Sequence, residues 1–215
     1  MKNLRGRVFE KTKEDLKKAI TPDILMIQRV HTIDELIKLE NRITAHLRER
    51  YGLYAPDTAK NAGQEEFLKA IEEGRREDIG ITLIKKEQES LLSLVEEIRS
   101  LQKLEQKQEE ELEELMKKEI PHLQEEAGTL IGARLLAQAG SLKQLACMAS
   151  SKIQVLGAEK ALFKHLKKDT KPPKFGILFA HPFISQAKEK GKAARKVAST
   201  IAKAAKIDYF SEKKL

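Results

Sequence analysis

The 215-residue chain has no tryptophan, and aromatic residues make up only 5% of it. So few rings, with no long runs of β-branched residues, weigh against a compact β fold and favour helices with large solvated faces. A single cysteine, Cys147, excludes an internal disulfide and with it the stapled secreted scaffolds, so a reducing, cytoplasmic setting is expected. No apolar run reaches the roughly 18–20 residues of a membrane-spanning helix. The charged N-terminus, Met1 to Lys18, has no apolar signal segment. Histidines 31, 46, 122, 165 and 181 are scattered, and none pairs with a carboxylate at metal-ligand spacing. Cys147 stands in an apolar stretch and reads as a small buried residue rather than a nucleophile. Lys190-Gly191-Lys192 lacks the upstream glycine and the following hydroxyl of a phosphate loop. No active site can be composed from these residues, so the expectation is a non-enzyme without metal or cofactor.

Charge is what the chain has in abundance. Charged residues are 34% of the sequence, hydrophobic ones 40%, and the net charge is +8. Its distribution is lopsided: residues 85–126 hold 13 acids against 7 Lys or Arg, whereas residues 152–215 hold 16 Lys or Arg against 5 acids. An acidic segment followed by a basic one places any anionic partner on the last third.

Along the chain, residues 1–21 form a charged leader, with a helix expected from about Lys11 to Ile20. Thr21-Pro22-Asp23 is a helix start, combining a capping hydroxyl, proline in the first turn and an acid at the positive end of the dipole. Ile27, Val30, Ile33, Ile37, Ile43 and Leu47 then recur at three- and four-residue steps to about Tyr51, where Gly52 is placed to end the helix. A short helix from Gln64 to Glu73 follows. From about Thr82 to Glu119, Ile84, Leu91, Ile98 and Leu112 keep a seven-residue register, with Leu94, Leu101 and Leu115 at the half-heptads. Glu105 and Gln108 interrupt that seam, and Leu104 is expected to compensate in part. So long and polar a helix needs a partner for its narrow stripe, and the helix over 22–51 supplies one as an antiparallel hairpin. Pro121 breaks the helix. Beyond it, Gly128, Gly132, Ala133, Ala137, Ala139, Gly140 and Ala146 let helices approach closely, as in the centre of a compact head. Phe175 to Phe183 is ambiguous, and a last helix is expected from about Ala187 to Ala205. The whole is an all-α chain divided into a leader (1–21), a coiled-coil hairpin (22–120) and a helical head (121–215).

Three stretches of the head resemble one family: Gly132-Ala133-Arg134-Leu135, Ala139-Gly140-Ser141-Leu142, and above all Gln154-Val155-Leu156-Gly157-Ala158-Glu159-Lys160-Ala161-Leu162-Phe163. Lys174-Phe175-Gly176-Ile177-Leu178-Phe179 and Lys190-Gly191-Lys192-Ala193-Ala194-Arg195 agree in order and spacing. Asp23-Ile24-Leu25-Met26-Ile27-Gln28 and Arg50-Tyr51-Gly52-Leu53 look like the start and turn of that family's hairpin. The sequence thereby resembles the Nop-domain family, which includes the archaeal box C/D small ribonucleoprotein core protein, nucleolar relatives and a spliceosomal pre-mRNA processing relative. The resemblance implies a scaffold that binds a kink-turn RNA of box C/D type jointly with a small kink-turn-binding protein, and a coiled coil that makes a homodimer. It does not carry fibrillarin recruitment, because only about 20 residues precede the hairpin here.

Lys160, Lys164, Lys167 and Lys168, with Lys152, Lys171 and Lys174, surround the motif and suit phosphate contacts. Gly157 permits close backbone approach, and the helix start at Ala158 offers N–H groups to a phosphate. Gln154 and His165 suit base edges or sugar hydroxyls, and His165 or His181 suits stacking on an unpaired base. Glu159 reads equally as a cap or an ion-pair partner of Lys160 or Lys164. Lys192 and Arg195 extend the patch, while Phe163 and Leu156 read as core. The competing reading is a coiled-coil assembly protein whose basic head meets an acidic protein or a membrane surface. The mostly alanine inner face of the last helix favours packing over insertion, so no membrane partner is expected.

Overall fold

The computed structural model describes residues 2–82, 84–168 and 170–211, with side chains from Leu4 onward except Lys18. The chain is all-α, with no strand among the described residues. Two compact units divide it: a terminal unit, residues 1–31 with 109–215, and a central unit, residues 32–108.

Helix α1 (Lys2–Ala19) is longer than its sequence suggests, and α2 (Pro22–Tyr51) begins and ends as expected. Pro22 occupies the first turn of α2, and the Thr21 hydroxyl bonds the Asp23 carboxylate. The buried face of α2 runs through Met26, Val30, Ile33, Glu40, Thr44, Leu47 and Tyr51 at alternating steps of mostly four and three. Val30, Ile33 and Leu47 are on the expected stripe; Ile27, Ile37 and Ile43 fall on its flank and are half-buried.

Helix α5 (Lys85–Glu119) starts three residues later than its apolar pattern implies, leaving Ile84 outside and exposed. Leu91, Ile98 and Leu112 are buried as expected. The other seam position belongs to Val95 and Met116, four residues after Leu91 and Leu112, and not to Leu94 and Leu115, which are half-buried. Leu104 does not compensate for Glu105: at 45% exposure it lies off the buried face.

In the central unit α2 and α5 run antiparallel. Arg50 pairs with Glu87 at 2.5 Å, whereas the earlier Glu40 accepts from the Nε2 of the later Gln102 at 2.7 Å. Glu40 is buried, and Gln64 Nε2 donates to it at 2.5 Å, so the apolar seam contains a polar layer. Burying a carboxylate there is tolerable because both amides satisfy it. Helices α3 (Pro56–Asn61) and α4 (Gln64–Glu72) close the unit over Tyr51 and Phe67, whose rings meet edge to face at 5.8 Å. The Tyr51 hydroxyl donates to the carbonyls of Ala70 (3.1 Å) and Arg75 (2.6 Å), and the Arg48 guanidinium lies 4.2 Å over Phe67. Glu77 accepts from the backbone of Asp57 and Thr58, both at 2.8 Å, and from the Thr58 hydroxyl at 2.5 Å. The Thr58 hydroxyl bond, aided by those backbone bonds, holds the Glu77 carboxyl below its ordinary range.

The terminal unit combines buried aliphatic side chains, among them Met26, Leu112, Met116 and Ile120, with many small residues. Helices α6 (Pro121–Ala127), α7 (Thr129–Ala139), α8 (Leu142–Cys147) and α9 (Ser150–Val155) gather with the long α12 (Lys190–Ser211). Along α12, Ala193, Ala194, Ala198, Ala202, Ala204 and Ala205 are buried with Val197 and Ile201. This helix runs six residues past its expected end, because Asp208 has work inside the fold. Its buried carboxylate accepts from the backbone N–H of His122 (3.2 Å) and Leu123 (2.8 Å), capping α6, and meets His122 Nδ1 at 2.7 Å. Cys147, expected in the core, is exposed: it is the last residue of α8 and points away from the face that buries Leu142, Leu145 and Ala146.

Candidate nucleic-acid interface

Between α9 and α12 the chain makes helix α10 (Glu159–Lys167), a loop, a turn of 3-10 helix (Ile177–Ala180) and the short α11 (Pro182–Ser185). The ambiguous stretch from Phe175 to Phe183 is thus helical in two short pieces, broken at His181-Pro182. A tight crossing holds the loop in place. Gly176 donates to the Gln154 carbonyl at 3.0 Å and Ile177 to the Leu156 carbonyl at 2.9 Å. A Cβ on Gly176 would lie 1.9 Å from the Leu156 oxygen, and one on Gly157 (φ +85°) would lie 2.6 Å from Ile177 Cγ1. Both glycines are therefore required by chain packing, the second also by its left-handed backbone. The expected role for Gly157, close approach of backbone to ligand, is taken by the protein's own loop.

Above that crossing an open cleft of about 930 Å³ lies between the loop and the start of α12. Gln154, Lys171, Lys174, Lys192 and Arg195, all expected, line it; Lys188 and Lys190 join them. Glu189 is the acid in the lining and pairs with Lys192 at 2.7 Å. Cations of one sign around a concave wall focus a positive potential. Phe175 stacks on Phe179 with centroids 4.8 Å apart, and the Lys190 ammonium lies 5.0 Å over Phe179. Lys188 and Lys190 are the lining cations that sequence reading did not assign to the site; Lys190-Gly191-Lys192, read as a failed phosphate loop, was the available signal.

The remaining expected residues fall in different places. Gln154 spends its amide on the Lys174 carbonyl at 2.7 Å, so it shapes the cleft. Glu159 accepts from the Gly157 N–H at 2.8 Å and from Gln138 Nε2 at 3.3 Å, which makes it a cap of its own turn. Ala158 gives its N–H to the Val155 carbonyl at 3.0 Å. Those two donors at the start of α10 are therefore already used. His165 Nδ1 meets the Thr170 carbonyl. His181 lies apart, in a smaller hollow with Glu126, Phe183, Lys196 and Thr200, both ring nitrogens occupied: Nε2 by the Glu126 carbonyl and Nδ1 by the Phe183 N–H, each at 3.2 Å. Lys160, Lys164, Lys167 and Lys168 are exposed on α10 or at its end and do not line the cleft.

Helix α10 has no buried residue. Phe163, expected in the core, is 61% exposed, and Leu166 is 70% exposed. Leu156, by contrast, is buried as expected. The interior of the terminal unit is filled by aliphatic side chains and the alanines of α12, and α10 lies outside with bulky apolar side chains interleaved among lysines. Among the described residues no acidic, histidine or cysteine cluster could hold a metal ion, and no helix is long and apolar enough to cross a membrane.

Comparison with known proteins bears on this surface. The chain is 34% identical to a NOP5 family protein of Methanocaldococcus jannaschii, over 94% of this chain and 56% of that protein. It is 32% identical to nucleolar protein 58 of Eremothecium gossypii, over 88% of this chain and 43% of that one. For nucleolar protein 58 of Schizosaccharomyces pombe the identity is 30%, over 89% and 43%. The chain thus spans about half the length of the curated relatives it matches. Its structure is similar to a chain in the crystal structure of a fibrillarin/Nop5p complex, with a TM-score of 0.55 and 28% identity over 97% of this chain and 70% of that one. The expected cytoplasmic location does not survive: these fungal relatives are nucleolar proteins by name. Residues 8–215 match the model described as Nop: snoRNA binding domain, fibrillarin, and the chain belongs to the Nop family.

Proposed function

We propose that this chain is a non-catalytic ribonucleoprotein scaffold that binds a kink-turn RNA of box C/D type together with a small kink-turn-binding protein. The observation that carries the proposal is α10, a helix that buries nothing and sets Phe163 and Leu166 among Lys160, Lys164 and Lys167. Exposed bulky apolar side chains suit a protein surface, and lysines beside them suit phosphates. A partner made jointly of protein and RNA satisfies both at once. The cationic cleft lined by Lys171, Lys174, Lys188, Lys190 and Arg195 continues the phosphate-binding surface. The comparisons support the RNA part of this reading, since the family model is described by snoRNA binding. We assign RNA contact to the head, residues 121–215, and assembly to the hairpin, residues 22–120. Fibrillarin docking is not part of the activity proposed for these residues.

The test is a gel-shift titration on a short kink-turn RNA, with and without the small kink-turn-binding protein. A shifted complex that needs that protein is the expected result. Equal shifts with and without it would remove the joint surface, and no shift in moderate salt would remove the RNA role.

A further inference from the structure

The cleft beside α12 carries flat apolar surface that phosphate contacts do not use. Pro172, Pro173 and Phe175 line it together with the cations. Phe175 is half-buried and stacks on Phe179, which is not a lining residue, with centroids 4.8 Å apart and planes 14° from parallel. Phe179 is in turn held by Lys190, 5.0 Å from its centroid, so the ring pair is tied to the start of α12. The backbone just after Phe175 is fixed by the bonds from Gly176 and Ile177 to the Gln154 and Leu156 carbonyls. The ring in the cleft is therefore set in place before any ligand arrives. Gln154 is oriented too. Its Nε2 donates to the Lys174 carbonyl at 2.7 Å, and a carbonyl only accepts, so the partner decides which end of the amide is the nitrogen. Its Oε1 accepts nothing from the described residues. In a lining whose acid, Glu189, is already paired with Lys192, Gln154 Oε1 is a side-chain acceptor left without a donor.

We propose that this cleft seats an unpaired nucleotide of RNA, its base stacked on Phe175 and its flanking phosphates on the surrounding lysines. The proposal rests on the RNA reading of this surface and narrows it, from phosphate contact alone to a single-stranded segment. A base inside a duplex has both faces covered by its neighbours, so a ring set in a cleft meets one that has left the helix. A positive groove with an aromatic platform is the combination that holds single strands, because every base has a π face and every nucleotide brings a phosphate. A surface for phosphates alone needs no ring. An apolar protein segment, for its part, is poorly served by a lining with six cations, of which Glu189 pairs with one. Gln154 Oε1 can accept from a base N–H, an exocyclic amine or a ribose 2′-hydroxyl, which adds a polar contact beside the stack. This seat is separate from α10, whose lysines do not line the cleft.

The test titrates the full chain into a short fluorescent oligouridine at low salt, with a blunt RNA duplex as the control. Phe175→Leu should weaken oligouridine binding about fivefold or more and leave the salt slope unchanged, since stacking releases no counterions. Phe175→Tyr should restore most of that affinity, because it keeps the ring. Lys174→Gln should instead lower the slope, by about 0.7 log units per log salt. Duplex binding should not respond to Phe175→Leu, and an oligonucleotide carrying 5-iodouridine should photocrosslink to the peptide that contains Phe175. Oligouridine binding that ignores Phe175→Leu would overturn the proposal. So would an equal loss with the duplex, or no rescue by Phe175→Tyr, either of which would make the ring a prop for the lysines. The kink-turn gel shift separates this outcome from failure of the RNA reading. A partner-dependent shift with no Phe175 effect on oligouridine removes the stacked nucleotide alone, whereas the absence of all RNA binding removes both.

Discussion

The two units of this chain differ in where they put their aromatic residues. The central unit buries large side chains, Tyr51, Phe67, Leu68, Ile71 and Leu91, and ties them down with specific bonds from Tyr51, Arg48 and Gln64. The terminal unit buries aliphatic side chains with the alanines of α12 and lets backbones touch at Gly176, while its aromatics Phe163, Phe179 and Phe183 lie at the surface with Leu166. An interior filled by aliphatic side chains and alanines has no need of rings, and the aromatics it leaves outside become available to partners. An aromatic in the central unit therefore means stability, and one in the terminal unit means recognition.

The sharpest way to break this comparison is a matched pair of truncations. Phe67→Ala should cost about 3–5 kcal/mol through the cavity it leaves under Arg48 and Tyr51. Phe163→Ala should change stability by no more than about 0.5 kcal/mol, as a surface substitution, yet weaken the joint protein–RNA complex. Chemical denaturation of both variants checks this, and equal losses would end the distinction. Next in size, Gly176→Ala should cost about 2–4 kcal/mol, because its Cβ meets the Leu156 carbonyl and the loop must move away. Thermal unfolding reads that loss, and weakened RNA binding should accompany it because the cleft wall is displaced. Removing the buried cap with Asp208→Ala should cost about 2 kcal/mol, from two backbone N–H groups and His122 left unsatisfied, with Asp208→Asn retaining part of it.

Smaller effects sharpen the surface side. Reversing Lys160 and Lys164 to Glu should leave the unfolding temperature nearly unchanged and flatten the salt dependence of RNA binding. Each lost phosphate contact should lower the slope by about 0.7–0.9 log units per log salt. An unchanged slope would move the phosphate contacts from α10 to the cleft alone. The smallest effect is the pH response of the central unit. The Glu77 carboxyl is held below its unfolded value of 4.5, chiefly by the Thr58 hydroxyl, and Glu65 is held below its own by Arg99. A depressed carboxylate contributes stability that is complete above the unfolded value and lost as pH falls through the folded one. Amide exchange at Asp57 and Thr58 should therefore quicken as pH drops below about 4.5 relative to exchange at Gly132, whose N–H is bonded to the Gly128 carbonyl, after the intrinsic rate is removed.

Much of this was legible before any coordinates. Pro22 with Asp23, and Pro121, marked helix starts because proline suits the first turn and little else in a helix. The long motif from Gln154 to Phe163 identified the family. The seam of α5 was read one position off, because a three-residue and a four-residue step from Leu91 look alike until a partner helix selects one. Phe163 and Cys147 were assigned to the core by hydrophobicity alone, and hydrophobicity does not say which face has something to pack against. Glu159 and Gly157 carried the strongest motif yet turned inward to their own loop, since a turn's hydrogen bonds depend on where a segment twenty residues away crosses it.

The sequence by itself determined the helical class, the main breaks, the separation of an acidic from a basic segment, and the family, because periodicity, proline and charge act locally along the chain. Only the tertiary structure decided which lysines share the cleft, why Gly157 and Gly176 must be glycine, that Asp208 caps α6 from 85 residues away, and that α10 lies uncovered. These depend on which surfaces meet, and contact between distant segments is set by packing of the whole unit rather than by any stretch of it.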